Sequence, residues 1–309
     1  MILAPMQGLT EVLFRRCFEQ CFPGTIQSSV SPFLSLTHGK LTDAGNRLSD
    51  VLPANNINSI PVIPQILGKE CDEFVEMATS LYELGYNEVN WNIGCPVRRV
   101  AGKHRGSGIL PYPDEIEKIL NHVTPRIPNK LSIKMRLGYL NPNEIFKIIP
   151  ILNSFPIASV TIHPRIGKQQ YGGTPDLDTF GKVLPLVQHP VIYNGDICTR
   201  EQYHHIRKRF PEISDVMIGR GILYNPLLPS LIKGDNPSST RIATFITTLI
   251  NAITNEPLSE QGKTRKIKEY WCLLYNSVSI TQHQAQQILR QDSLNNILTE
   301  IHNIIYNLT

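Results

Sequence analysis

No run of about 18 consecutive apolar residues occurs in the 309-residue chain, which excludes a helix that crosses a membrane. Cysteine is scarce. The six, at positions 17, 21, 71, 95, 198 and 272, include no Cys-x-x-Cys pair, so a disulfide framework and a thiolate zinc site are both excluded. They read as free thiols, and no metal site is expected. A strong charge of one sign is also lacking: 30 basic residues against 26 acidic give +4, which permits a polyanionic partner without naming one. Fixed-period repeats and low-complexity tracts are absent, and 41% hydrophobic residues supply a large core, so disorder and solenoid architectures drop out. The opening Met-Ile-Leu-Ala-Pro-Met-Gln-Gly has no basic and apolar leader, and the cytoplasm is the expected location.

What is present is an alternation of short β-branched or apolar runs with longer stretches of helical spacing, the pattern of βα units and a parallel sheet. Candidate strands are Met1–Ala4, Thr25–Ser28, Val62–Ile66, Glu88–Asn92, Leu131–Met135, Ser159–Ile162, Val191–Tyr193 and Asp215–Ile218. Candidate crossover helices are Cys71–Leu84, Pro113–His122, Asn143–Asn153, Leu177–Val187 and Arg200–Phe210. The expected fold is α/β, a (β/α)8 TIM barrel over residues 1–235, close to the roughly 250 such a barrel uses. Breaker residues collect at Lys233-Gly-Asp-Asn-Pro-Ser-Ser-Thr240, and residues 241–309 then read as four amphipathic helices, a small C-terminal helical-bundle domain.

In such a barrel the chemistry sits at the carboxyl ends of the strands, and here those positions are polar. They carry Gln65, Asn92 and Cys95, Lys134 and Arg136, His163 and Arg165, Asn194-Gly-Asp196, and Gly219-Arg-Gly221. Glycines after the last two strands let backbone N–H groups approach an anion, and Arg220 adds a charged donor, so these loops read as a phosphate cradle. A phosphate there, with amide, lysine and histidine groups from other strands, suits flavin mononucleotide (FMN). Gln65 would bond the pyrimidine edge of the ring and Lys134 would place positive charge near its N1–O2 side. Cys95 lies in a tight turn between Gly94 and Pro96 that aims its thiol into the mouth. The nearby cations Arg98, Arg99, Lys103, His104 and Arg105 would favour thiolate. That basic run and Lys263-Thr-Arg-Lys-Ile-Lys268 are candidate contacts to a phosphate backbone. Trp91 and Tyr171 are read as either base-stacking or packing residues.

The ordered segments Ala-Pro-Met-Gln-Gly (4–8), Pro-Gln-Ile-Leu-Gly (64–68), Asn-Ile-Gly-Cys-Pro-Val-Arg-Arg-Val (92–100), Gly-Ser-Gly-Ile-Leu (106–110), Ile-Lys-Met-Arg-Leu-Gly (133–138), His-Pro-Arg (163–165), Tyr-Asn-Gly-Asp-Ile (193–197) and Val-Met-Ile-Gly-Arg-Gly (216–221) resemble the tRNA-dihydrouridine synthases. The resemblance spans nearly the whole barrel. It implies an FMN-bearing barrel with a tRNA-binding helical domain, and Lys266–Trp271 is similar to bacterial C-type members. It further implies Pro5, Met6 and Gln7 as flavin contacts, with Gln65, Lys134 and His163 at the ring. Asn194, Gly195, Asp196, Gly219 and Arg220 would hold the ribityl phosphate, and Cys95 would be the proton donor. Asn92 and Arg136 would face the target uridine, with Arg165 and Tyr171 also placed at the substrate. The chain departs from the family pattern in Asn90, where aspartate is usual, in Pro164, and in Ala101–Gly108, where a lysine- and glycine-rich form is commoner.

The implied reaction is reduction of uridine to 5,6-dihydrouridine in the D-loop of tRNA. NADPH reduces FMN, and the tRNA is gripped at its D-arm or elbow. No protein partner is expected. Two alternatives stay open: a flavin barrel acting on a free pyrimidine, like the dihydroorotate dehydrogenases, and a non-catalytic tRNA-binding or chaperone protein.

Overall fold

The computed structural model describes residues 1–35, 48–278 and 280–306, and in it strands and helices alternate through Lys233. The chain runs β1 (Ile2–Leu3), α1 (Val12–Cys21), β2 (Ser28–Val30), β3 (Val62–Ile63), β4 (Gln65–Ile66), α2 (Cys71–Glu83), β5 (Glu88–Ile93), α3 (Arg98–Ala101), α4 (Pro113–Val123) and β6 (Lys130–Gly138). It continues through α5 (Ile145–Asn153), β7 (Ile157–Ile166), α6 (Leu177–Val183), β8 (Val191–Tyr193), α7 (Arg200–Arg209), β9 (Asp215–Ile218), α8 (Arg220–Tyr224) and α9 (Leu228–Lys233). All strand pairs are parallel, in the order β3-β2-β1-β9-β8-β7-β6-β5-β4. β3 and β4 flank Pro64 and are halves of one strand. One half pairs with β2 and the other with β5, so the sheet closes into the (β/α)8 barrel.

Strand alternation separates two environments. Val89, Trp91 and Ile93 of β5, Leu131, Ile133 and Met135 of β6, and Val160 and Ile162 of β7 belong to the core shared with the helices. The residues between them point into the barrel. On the β8, β9, β1 and β2 side the interior is apolar, a separate cluster of Ile2, Ala4, Val30, Ile192 and Met217. On the β4 to β7 side the buried residues are Gln65, Asn90, Asn92, Ser132, Arg136, Thr161 and His163. That many buried polar groups require partners, and their mutual bonding builds the site.

Three elements differ from the sequence expectation. The second strand is Ser28–Val30 rather than Thr25–Ser28. Thr25 is spent in a turn, its N–H and hydroxyl both donating to the Phe22 carbonyl. α6 stops at Val183 because Pro185 has no N–H to continue it, and Leu184–Leu186 tighten into a 3-10 turn. β6 and β7 run on to Gly138 and Ile166, so Arg136, His163 and Arg165 sit on strands rather than loops.

Gly234 ends α9 in the left-handed conformation, φ 93°, which a side chain would strain. Beyond it lie α10 (Thr240–Thr254), α11 (Glu260–Leu274), α12 (Gln282–Arg290) and α13 (Leu294–Tyr306). Phe245 of α10 meets Phe14, Phe18 and Phe22 with ring centroids 5.7, 5.8 and 5.6 Å apart, and Tyr270 of α11 stacks on Phe14 at 6.0 Å. The helical segment therefore shares one apolar core with the barrel through α1. Among the described residues no helix is long and apolar enough to cross a membrane.

Candidate active site

Parallel register sets the site. Asn92 of β5 lies opposite Lys134 of β6, and Arg136 of β6 lies opposite His163 of β7, so four polar side chains are brought together at adjacent strand ends. They line an open cleft at the carboxyl mouth of the barrel. This is the location expected for an active site in such a barrel.

A chain of amides forms the floor, and its polarity is fixed at one end. The Asn92 side-chain oxygen accepts from the N–H groups of Gly94 and Cys95 at 3.0 and 2.9 Å, so its amino group must point the other way, to Gln65 Oε1 at 2.7 Å. Gln65 Nε2 then donates to Asn90 at 2.8 Å, and Asn90 Nδ2 donates to Ser132 at 3.0 Å. Each amide orients the next, and Gln65 retains one N–H of its amino group beyond the bond to Asn90. Asn90 fits this chain because it both accepts and donates.

The Cys95 turn is held at the backbone N–H and carbonyl of both Gly94 and Cys95. Besides the two N–H groups bound by Asn92, Arg136 Nε donates to the Gly94 carbonyl at 3.1 Å. Ser107 donates both its N–H and its hydroxyl to the Cys95 carbonyl, each at 2.9 Å. Burial pushes the Cys95 thiol above its ordinary pKa, outweighing the opposing pull of the Val97 backbone N–H and of Arg136, Lys134 and Arg99. The expectation that cations favour thiolate is therefore corrected: the resting group at neutral pH is the thiol.

Lys134 is partly buried and, among the described residues, has no hydrogen-bond or ion-pair partner. Burial, reinforced by Arg136, lowers its pKa from 10.5 to about 7. His163 is held well below its ordinary pKa by burial and by the charges of Arg136, Lys134, Arg165 and Arg220. Its ring is neutral. Arg165 Nη1 lies 3.1 Å from His163 Nε2, and because arginine only donates, Nε2 accepts and the ring proton sits on Nδ1.

Arg165 is 1% exposed and is not among the residues that line the cleft. It binds both Asp196 carboxylate oxygens and the carbonyls of Gly172 and Gly173, at 3.1 and 2.7 Å, directly after Tyr171 in its loop. Arg220 Nη2 meets Asp196 at 2.7 Å. Burial would raise the Asp196 carboxyl, but the hydrogen bonds and charge of Arg165, with the charge of Arg220, outweigh it and lower its pKa. Tyr171 is exposed at the rim, with the Arg220 and Arg136 guanidiniums 5.0 and 5.7 Å from its ring centre.

Every other candidate lines the cleft: Pro5, Met6, Gln7, Gln65, Asn92, Cys95, Lys134, Arg136, His163, Tyr171, Asn194, Gly195, Asp196, Gly219 and Arg220. Trp91 does not. It is buried, its indole donates to the Gly68 carbonyl at 3.0 Å, and it packs edge-on against Phe74. The basic segments are also partly spent. Arg105 faces Glu70 at 3.7 Å and His104 faces Glu115 at 3.7 Å, leaving Arg98, Arg99 and Lys103 without acidic partners among the described residues. In 263–268, Arg265, Lys266 and Lys268 pair with Glu269, Glu11 and Asp292. Sequence reasoning missed Pro32, Phe33 and Cys198, which also line the cleft. The first two follow the strand that was placed three residues early, and Cys198 lies only two residues after Asp196.

Fold and site together define a TIM-barrel enzyme with its active site at the strand carboxyl ends. The fold is similar to that of the old yellow enzyme homologue of Zymomonas mobilis (TM-score 0.57, 12% identity, covering 84% of this chain and 95% of that one). It is also similar to the old yellow enzyme of Trypanosoma cruzi (TM-score 0.56, 11% identity, 83% and 94%). A family model described as Dihydrouridine synthase (Dus) matches residues 2–291. The tRNA-dihydrouridine synthase B of Pasteurella multocida (strain Pm70) is 31% identical over 240 residues, 76% of this chain and 70% of the relative. The tRNA-dihydrouridine(16) synthase of Neisseria meningitidis serogroup B (strain ATCC BAA-335 / MC58) is 29% identical over 238 residues, 75% and 70%. The chain belongs to the dihydrouridine synthase family.

Proposed function

We propose that this protein reduces the C5–C6 bond of a uridine in the D-loop of tRNA, with FMN in the cleft, NADPH as reductant and Cys95 as the proton donor. The observation that carries the reading is a protonated thiol and, among the described residues, a partnerless lysine at the mouth of one cleft, in a chain of this family. The donor set suits a flavin: the spare Gln65 N–H and the Lys134 ammonium match a polar ring edge that gains negative charge on reduction. Pro5, Met6, Gln7 and His163 would contact the cofactor, and Asn194, Gly195, Gly219 and Arg220 would hold its phosphate end. Asp196 contributes by fixing Arg165 and Arg220, since a carboxylate in contact with a phosphate repels it.

When bound, the reduced flavin supplies a hydride to C6 of the uracil. The pyrimidine then carries enolate-like negative charge at C5 and the 4-carbonyl, and the Cys95 thiol delivers a proton to C5. Such general-acid assistance is typically worth about 10²–10⁴-fold. Lys134 and Arg136 offset the developing charge, and Asn92 keeps the donor aimed through the backbone of its turn. Tyr171 at the rim offers a ring for the uridine to stack on, while Arg98, Arg99 and Lys103 meet the tRNA backbone. On this reading residues 1–235 are the catalytic unit and 241–309 the tRNA-binding unit, and the enzyme acts in the cytoplasm.

The test is Cys95→Ala. The variant should keep bound flavin and NADPH oxidation and lose dihydrouridine formation by about 100-fold or more, within the general-acid range. Undiminished product would remove Cys95 from the reaction. Turnover of free pyrimidine with none of tRNA would favour the dihydroorotate-dehydrogenase-like alternative.

A further inference from the structure

Two side chains of α11 take no part in this chemistry, yet both are bonded to the loop that follows β1. Tyr270 is 2% exposed, and its hydroxyl donates to the Leu9 carbonyl at 2.6 Å. Burial, with the nearby carboxylate of Glu11, holds its pKa well above the ordinary value, so it is a permanent donor. One helical turn earlier, Lys266 pairs with Glu11 at 2.6 Å. The loop between these anchors is wound about Met6. The Met6 carbonyl accepts from the N–H groups of Leu9 and Thr10, each at 3.0 Å, and its N–H donates to the Thr10 hydroxyl at 2.8 Å. Met6 in turn packs against the end of β9, its sulfur 3.2 Å from where a Cβ on Gly219 would lie. From the barrel side the same loop is held by Arg15, which donates to the Thr10 carbonyl at 3.0 Å.

We propose that α11 braces the cofactor side of the cleft: Tyr270 and Lys266 are positioning residues that hold the Pro5–Gln7 loop in the shape that receives the flavin. The helical segment is then part of the cofactor site as well as the proposed tRNA-binding unit. This rests on the functional reading above, because loop shape bears on flavin affinity only if flavin occupies the cleft. Lys266 belongs to a run that, by sequence, reads as a contact to a phosphate backbone, and its pairing with Glu11 assigns it an inward role instead. Loss of the Tyr270 hydroxyl leaves the phenyl ring on Phe14 and strands the Leu9 carbonyl, freeing the loop without emptying the core.

The experiment is a titration of the full chain, stripped of cofactor, with FMN, read by quenching of flavin fluorescence. Tyr270→Phe and Lys266→Met should each weaken FMN binding by about tenfold, the scale of one buried hydrogen bond lost. Lys266→Arg should restore most of the affinity. Lys268→Met, on the same helix but paired with Asp292 at 3.6 Å, should leave it unchanged. If Tyr270→Phe and Lys266→Met lower only the unfolding midpoint while FMN affinity stays at the wild-type value, the brace is refuted. Equal weakening by Lys268→Met also refutes it. A wild-type chain that binds no FMN overturns the functional reading and the brace with it, whereas wild type and variants that bind equally tightly overturn the brace alone.

Discussion

Lys134 gives the account its sharpest thermodynamic consequence. Folding carries its ammonium from water to a place where burial and the Arg136 charge oppose protonation, and its pKa falls from 10.5 to about 7. At about 1.4 kcal/mol for each tenfold change in proton affinity, that costs the cofactor-free protein at most about 5 kcal/mol. Water in the open cleft screens the charge, so about 2–3 kcal/mol is expected. Lys134→Met keeps the length of the side chain and removes the charge, so the cofactor-free variant should be more stable than wild type. The sign follows from linkage. Below pH 7 the lysine is protonated both folded and unfolded, and the full penalty applies. Between pH 7 and 10.5 the unfolded chain binds the extra proton, so wild-type stability rises with pH. Above 10.5 both forms are neutral and the two proteins should coincide. Urea unfolding of both proteins across this range measures the difference. A variant no more stable than wild type at pH 6, or a gap independent of pH, would refute the reasoning.

Ser107→Ala should loosen the Cys95 turn, which loses one of two bonds to the same carbonyl, and alkylation of Cys95 by iodoacetamide should quicken several-fold. Ser107→Thr should recover the slow rate if its hydroxyl finds the same carbonyl. Asp196→Asn leaves the buried Arg165 without its counter-charge and should cost about 3–5 kcal/mol in denaturant unfolding. Because the Asp196 pKa is lowered on folding, its stabilisation is present above the ordinary 3.8 and is lost as pH falls through the lowered value, so the two proteins should converge in acid. Phe245→Ala opens the aromatic cluster joining α10 to α1 and should cost about 3–5 kcal/mol in one cooperative transition. A separate early transition for the helical segment would contradict the shared core.

The barrel was legible because its strands are short apolar runs with polar residues at their carboxyl ends, and β5 and β6 carry polar residues of the site and its floor on alternate positions: Asn90 and Asn92, then Lys134 and Arg136. Period two puts those side chains on one face, which a sequence displays directly. The second strand was misplaced because Thr25 and Ile26 are β-branched, yet Thr25 is used in a turn, and pairing to Ile2–Leu3 and Val62–Ile63 decides the strand instead. Arg165 and Arg220 look alike in sequence and both bind Asp196, yet one is buried behind the Tyr171 loop and the other lines the cleft. Likewise the charge of Lys266 reads as a surface contact until Glu11, 255 residues earlier in the chain, comes to meet it. Pairing over such distances leaves no local pattern.

The most direct test of the account is to incubate tRNA lacking modifications with the purified protein, FMN and NADPH, and to map the mass of each uridine. The account requires a gain of two hydrogens at a D-loop uridine with wild type and its near-complete loss with Cys95→Ala. Unaltered tRNA from a flavin-loaded, NADPH-oxidising wild-type protein would contradict it.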